Sequence, residues 1–119
     1  MVLPERRRKR SSFAGLALHY LFSAIARRQG LKGIVLADTA GLVVATNLKE
    51  SDAEEVAAMA PLMARSAGLE YDWYWGSPLV IQNVEVDGYP FYLCALGANQ
   101  PAVQGAHEAA GAVDRILAA

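Results

Sequence analysis

Six consecutive residues, Gly33-Ile34-Val35-Leu36-Ala37-Asp38, constrain this chain more than any other segment. The run is too short for a helix and is aliphatic without alternation, so it predicts a strand covered on both faces, placed centrally in a sheet. Asp38-Thr39-Ala40-Gly41 then supplies turn chemistry, because Asp can bond its own turn and Gly can take positive φ. A second strand over 42–46 closes a hairpin. Further on, 79–86 and 89–96 flank Asp87-Gly88, the preferred pair for a type I′ turn, and predict a second hairpin.

Helices are marked by their ends. Ser11 or Ser12 is the expected N-cap of a first helix that Gly30 stops, with Arg27 and Arg28 at the negative end of the dipole. Between Phe13 and Ala26 only His19 and Ser23 are polar, which predicts a helix covered on more than one side. Ser51-Asp52-Ala53-Glu54 reads as a capping box opening a second helix to about Ala67, with Gly68 as its stop. Pro101 suits the first turn of a third helix, where Val103, Ala106, Ala110, Val113 and Leu117 recur at helical steps. Tyr71 to Trp75 reads as a short edge strand. The order is α-β-β-α-β-β-β-α, an α/β chain.

With 119 residues and 54% hydrophobic side chains, one domain with a real core is expected. The apolar run Phe13–Leu18 is far shorter than the roughly 18 residues of a membrane span. Arg6 to Arg10 followed by this run imitates an export signal. His19 and Tyr20 interrupt it, however, and the helical pattern continues to Arg28. The single Cys94 can form neither an internal disulfide nor a cysteine metal cluster, which fits a reducing compartment and makes the cytoplasm the expectation. Residues 1–32 hold eight bases against Glu5, a net +7, and the remaining 87 residues carry a net −8. A basic arm over 1–10, with Arg6, Arg7, Arg8, Lys9 and Arg10, is thus set before a single domain over 11–119 whose body is acidic. Such an arm is either a solvated tail or a contact for an acidic partner, nucleic acid or lipid headgroups.

Groups for chemistry are few. His19 and His107 lie on separate helices without ligands at metal spacing, and Cys94 sits in an apolar strand without a neighbouring base. No Gly-x-Ser-x-Gly elbow occurs, and Glu54-Glu55 falls in a first helical turn where acids favour the dipole. Asp38-Thr39-Ala40-Gly41 resembles a nucleotide switch, but no phosphate-cradling glycine loop accompanies it. No enzyme activity, metal or cofactor is expected.

Association is the stronger signal. From Val56 to Met63 the second helix has no charge, with Val56, Met59, Ala60 and Met63 on one face and Ala57, Ala58 and Leu62 elsewhere. A helix apolar nearly all round buries more than one face, and a partner subunit can supply the second cover. Pro61 removes a helical hydrogen bond and predicts a kink or break near Ala57. In the segment 71–75, Trp73 and Trp75 fall on one face of a strand, either as contact anchors or as a cap on the core.

The stretch 33–46, Gly-Ile-Val-Leu-Ala-Asp-Thr-Ala-Gly-Leu-Val-Val-Ala-Thr, with Asp52-Ala-Glu-Glu and Val56-Ala-Ala-Met-Ala after it, resembles the roadblock family of dynein-associated light chains and bacterial MglB-type polarity regulators. The resemblance is best over 30–67, and the final strand and helix agree in order. It implies a profilin-like α/β sandwich, here with a five-stranded, mainly antiparallel sheet and three helices. It further implies a non-catalytic homodimer that regulates or scaffolds a Ras-like small GTPase or a motor or polarity complex. Segment 71–75 and the arginine-rich start depart from the family pattern. The alternative is a nucleic-acid-associated module in which Arg6–Arg10 grip phosphates and the aromatic segment stacks on bases, against which the acidic body argues.

Overall fold

The structure, a computed structural model, describes residues 5–64, 71–73 and 77–118. Strand β1 (Gly33–Asp38) shows why its sequence has no polar face. Successive side chains point to opposite sides of a strand, and each side of β1 meets a different core. Ile34 and Leu36 join one apolar cluster, while Val35 and Ala37 join another.

The first cluster is closed by helices α1 (Glu5–Gln29) and α3 (Asn99–Leu117), and the second by α2 (Glu50–Met63). The molecule is therefore layered helix, sheet, helix. The other strands are β2 (Val43–Thr46), β3 (Tyr71–Trp73), β4 (Ser77–Val86) and β5 (Tyr89–Leu96). All pair antiparallel, in the order β2-β1-β5-β4-β3, with β3 a three-residue strip along the edge of β4. The chain thus follows the expected order of three helices around an antiparallel sheet.

Both hairpin turns follow their local chemistry. Asp87 and Gly88 have φ of 52° and 82°, the two positive values that a type I′ turn requires. In the first turn Asp38 Oδ1 accepts the N–H groups of Ala40 (2.9 Å) and Leu42 (3.0 Å). Where β2 ends, side chains reinforce its ladder: the Ile34 N–H donates to Asn47 Oδ1 at 2.8 Å, and the Thr46 hydroxyl donates at 2.9 Å to the Ile34 carbonyl, which also accepts the Asn47 N–H.

The helix ends depart from expectation. α1 begins at Glu5, so Ser11 and Ser12 lie within it and Arg6–Arg10 belong to a helix. Arg and Lys are good helix formers, and no glycine or proline interrupts the run before Gly15. α2 starts at Glu50 with Lys49 at the N-cap and no side-chain cap hydrogen bond, so the Ser51–Glu54 capping box does not form. Ser51 is already inside the first turn, away from the capping position. Its expected end at Ala67 and Gly68 lies outside the described residues. In α3 the buried row is Ala102, Ala106, Ala109 and Val113, while Val103 is exposed.

α2 also continues through Pro61, without the expected break, and ends two residues later. The proline deprives the Ala57 carbonyl of its helical donor. Gly41 packs against this stretch: a Cβ there would lie 3.3 Å from the Ala57 oxygen and 3.3 Å from Ala58 Cα. Its φ of +82° is also costly for any side chain. Gly41→Ala is expected to destabilise the chain by about 1–2 kcal/mol from backbone strain alone. A fall of several degrees in thermal melting would record it.

Candidate interaction surface

The second core forms where α2 lays Ala53, Val56, Ala57 and Ala60, all fully buried, over the β1–β5 side of the sheet. Small alanines let the helix lie close to the strands. Val56 and Ala60, expected at a partner interface, are thus occupied by the chain's own core. The other two residues of that row differ, for Met59 and Met63 are only half-buried. Beyond them α2 turns Ala58 and Leu62 outward, and Leu62 is 60% exposed.

The sheet on this side is not fully roofed. α2 lies over β1, β2 and β5, while Ile81 of β4 and Tyr92 of β5 pack on the same core and remain half-buried with Met63. Met63, Ile81 and Tyr92 make a half-covered apolar strip on this side of the sheet, and the half-buried Met59 and exposed Leu62 add uncovered apolar surface on α2 itself. Among the described residues β3 pairs only with β4, leaving an edge where another strand can add. Trp73 closes β3, and Trp75 lies outside the described residues. Ile81 and Tyr92 carry no interface signal in the sequence, and Leu62 carries only that of the helix it belongs to. The uncharged run around Leu62 carried a signal, whereas Ile81 and Tyr92 became relevant only through pairing across β4 and β5.

At the opposite sheet edge, an open groove of about 760 Å³ runs between β2 and the start of α2, with Leu42, Leu48 and Ala58 in its lining and Glu50 and Glu54 at its rim. His19 of α1 also borders it, with Nδ1 2.9 Å from the Thr46 carbonyl oxygen. That contact occupies an outward-facing acceptor of the edge strand.

Reactive groups are not gathered at either edge. Among the described residues no three His, Cys, Asp or Glu side chains stand close enough to hold a metal ion. Cys94 is fully buried in β5, and burial pushes its thiol from 9.0 up to about 12. Because the folded thiol keeps its proton to higher pH than the unfolded one, its contribution to stability is whole below pH 9. The contribution is then lost as pH rises toward 12. Urea melts between pH 9 and 11 are expected to show a steeper loss of stability in the native chain than in Cys94→Ala, by about 1.4 kcal/mol per pH unit. Equal slopes would mean that the thiol opens to solvent.

Comparison with known proteins agrees with this architecture. No curated protein and no solved structure matches the chain. The sequence model for the Roadblock/LC7 domain matches residues 19–97, from the middle of α1 through the last strand. That match takes in both hairpins, α2 and the half-covered strip, and with more than half of its 119 residues matched the chain belongs to the Roadblock/LC7 domain family, a family of protein-interaction modules.

Proposed function

We propose that the chain works as a non-catalytic homodimeric module in the cytoplasm that regulates or scaffolds a Ras-like small GTPase, or a motor or polarity complex built around one. The observation that carries this reading is the incomplete roof over the α2 side of the sheet. Met63, Ile81 and Tyr92 form a half-covered apolar strip on the sheet whose edge strand β3 is open, and Met59 and Leu62 leave further apolar surface on α2. A second copy can extend the sheet through β3 and lay its own α2 on the strip, which buries both features at once. Flexible methionine side chains suit such a self-complementary seam. Trp73 and Trp75 belong to this proposed interface by their place in or next to β3. A dimer of this kind leaves the β2 edge and its acidic-rimmed groove open for a further protein.

The GTPase part of the reading is tested by calorimetric titration of the full chain with a purified Ras-like GTPase of the same genome. The GTPase is loaded in turn with GDP and with a non-hydrolysable GTP analogue. Binding that differs about tenfold or more between the two loads, near 1.4 kcal/mol, is the expected result. No binding in either state would remove the GTPase and leave the dimeric module.

A further inference from the structure

We infer that α1 docks on an anionic lipid surface, lying flat with the face opposite the protein core. Helix α1 is apolar on two opposite sides, and the fold covers only one. Leu18, Phe22, Ile25 and Ala26 are buried in the first core. On the other side Phe13, Leu16 and Tyr20 are 76%, 54% and 65% exposed, with Ala17 and Ala24 also open. The expectation that the helix is covered on more than one side therefore fails within a single chain, and the bare stripe calls for a second apolar phase.

Charge identifies that phase. From residue 6 to residue 32 the chain holds eight bases and no acid. Arg6, Lys9, Phe13, Leu16 and Tyr20 follow one another at three- and four-residue steps, the spacing of one helical row. Beyond Tyr20 the exposed Arg27 closes the row, so the apolar stretch has bases before and after it. Arg28, which follows Arg27, is paired with Glu108 of α3. An apolar centre flanked by bases on a helix of 25 residues offers both attractions that hold a helix at a lipid surface, burial of apolar side chains and charge. Its large side chains enter the headgroup boundary while the bases meet phosphate and carboxylate headgroups.

Neither signal suffices alone. Five bases hold a protein at a surface weakly, and a few apolar side chains partition weakly, but the two together act as a paired anchor. No described helix is long and apolar enough to cross a membrane, so the contact is peripheral. Arg6–Arg10, Phe13 and Leu16 precede the part of the chain matched by the domain family, which starts at residue 19. The surface is thus an addition to the shared domain. It lies across the sheet from α2, so it can stay open when the α2 side is occupied.

Vesicle flotation of the full chain provides the test, using phosphatidylcholine alone and phosphatidylcholine with about 30% phosphatidylserine. The native chain is expected to float only with the anionic vesicles, and to leave them as salt rises from about 0.1 to about 0.5 M. Phe13→Asp with Leu16→Asp is expected to reduce binding about tenfold or more with an unchanged thermal melt, since both positions are exposed. Replacing residues 6–10 by Gln should abolish the anionic preference. Absence of flotation by the native chain at low salt would overturn the proposal. Undiminished binding of the Asp variant would also overturn it, by reducing the contact to charge adsorption. So would dissociation of a native protein assembly by the Asp variant without vesicle binding, which would assign the stripe to a protein partner.

Discussion

Val56→Glu is expected to abolish folding, whereas Met59→Glu leaves the fold intact and dissociates the dimer. The two positions are three residues apart on α2 but face different surroundings: Val56 is fully buried against the sheet, and Met59 is half-open. A carboxylate at Val56 has no partner in the second core. Its burial costs several kcal/mol, a large share of the roughly 5–15 kcal/mol that holds a domain together. At the half-open position of Met59 a carboxylate of similar length can reach water in the monomer, but the proposed seam would enclose it. Loss of about 3 kcal/mol there corresponds to more than a hundredfold weaker association. Sedimentation and circular dichroism of the native chain and both variants separate the effects. A native chain that sediments as a monomer at micromolar concentration would end the dimer reading. A Met59→Glu chain that unfolds would place Met59 in the core, and Leu62→Glu, at a 60% exposed position, would then carry the interface test.

Phe22→Ala is expected to cost about 3–5 kcal/mol, while Phe13→Ala costs less than about 0.5 kcal/mol. Both rings are on α1, nine residues or two and a half turns apart, and so on opposite faces. Phe22 is fully buried between the sheet and α3, whereas Phe13 is 76% exposed. Truncation of Phe22 removes apolar area from the core and leaves a cavity that neighbours fill only partly. Truncation of Phe13 removes a ring that the fold does not use. Denaturant melts of the two variants are the measurement. Comparable losses would show that the outer face of α1 is enclosed by the folded chain and would remove the basis for a docking surface.

These contrasts show which information is local. The strand at Gly33–Asp38, the hairpin at Asp87-Gly88 and the stop at Gly30 were legible because turn geometry and strand patterning act over a few neighbouring residues. The start of α2 departs from its local pattern for a related reason. Ser51 and Glu54 have capping-box spacing, but which residue becomes the cap depends on where the chain leaves β2, and Lys49 takes that place. The continuity of α2 through Pro61 likewise depends on its packing against the sheet and Gly41.

The candidate surface was legible as a segment but not as a set of residues. The uncharged stretch from Val56 to Met63 announced that α2 meets more than one apolar neighbour. It did not tell Val56 and Ala60, which serve the chain's own core, from Met59 and Leu62. A helix apolar on all sides has no polar stripe to orient it, so its rotation follows from the strands beneath. The same ambiguity held in α1, where Phe13 and Phe22 are chemically identical. What the amino-acid sequence determined by itself was the order of elements, their turns and the excess of apolar helix surface. Which surface was left over was decided only by tertiary packing, because one sheet face covers one side of a helix and the opposite side stays bare.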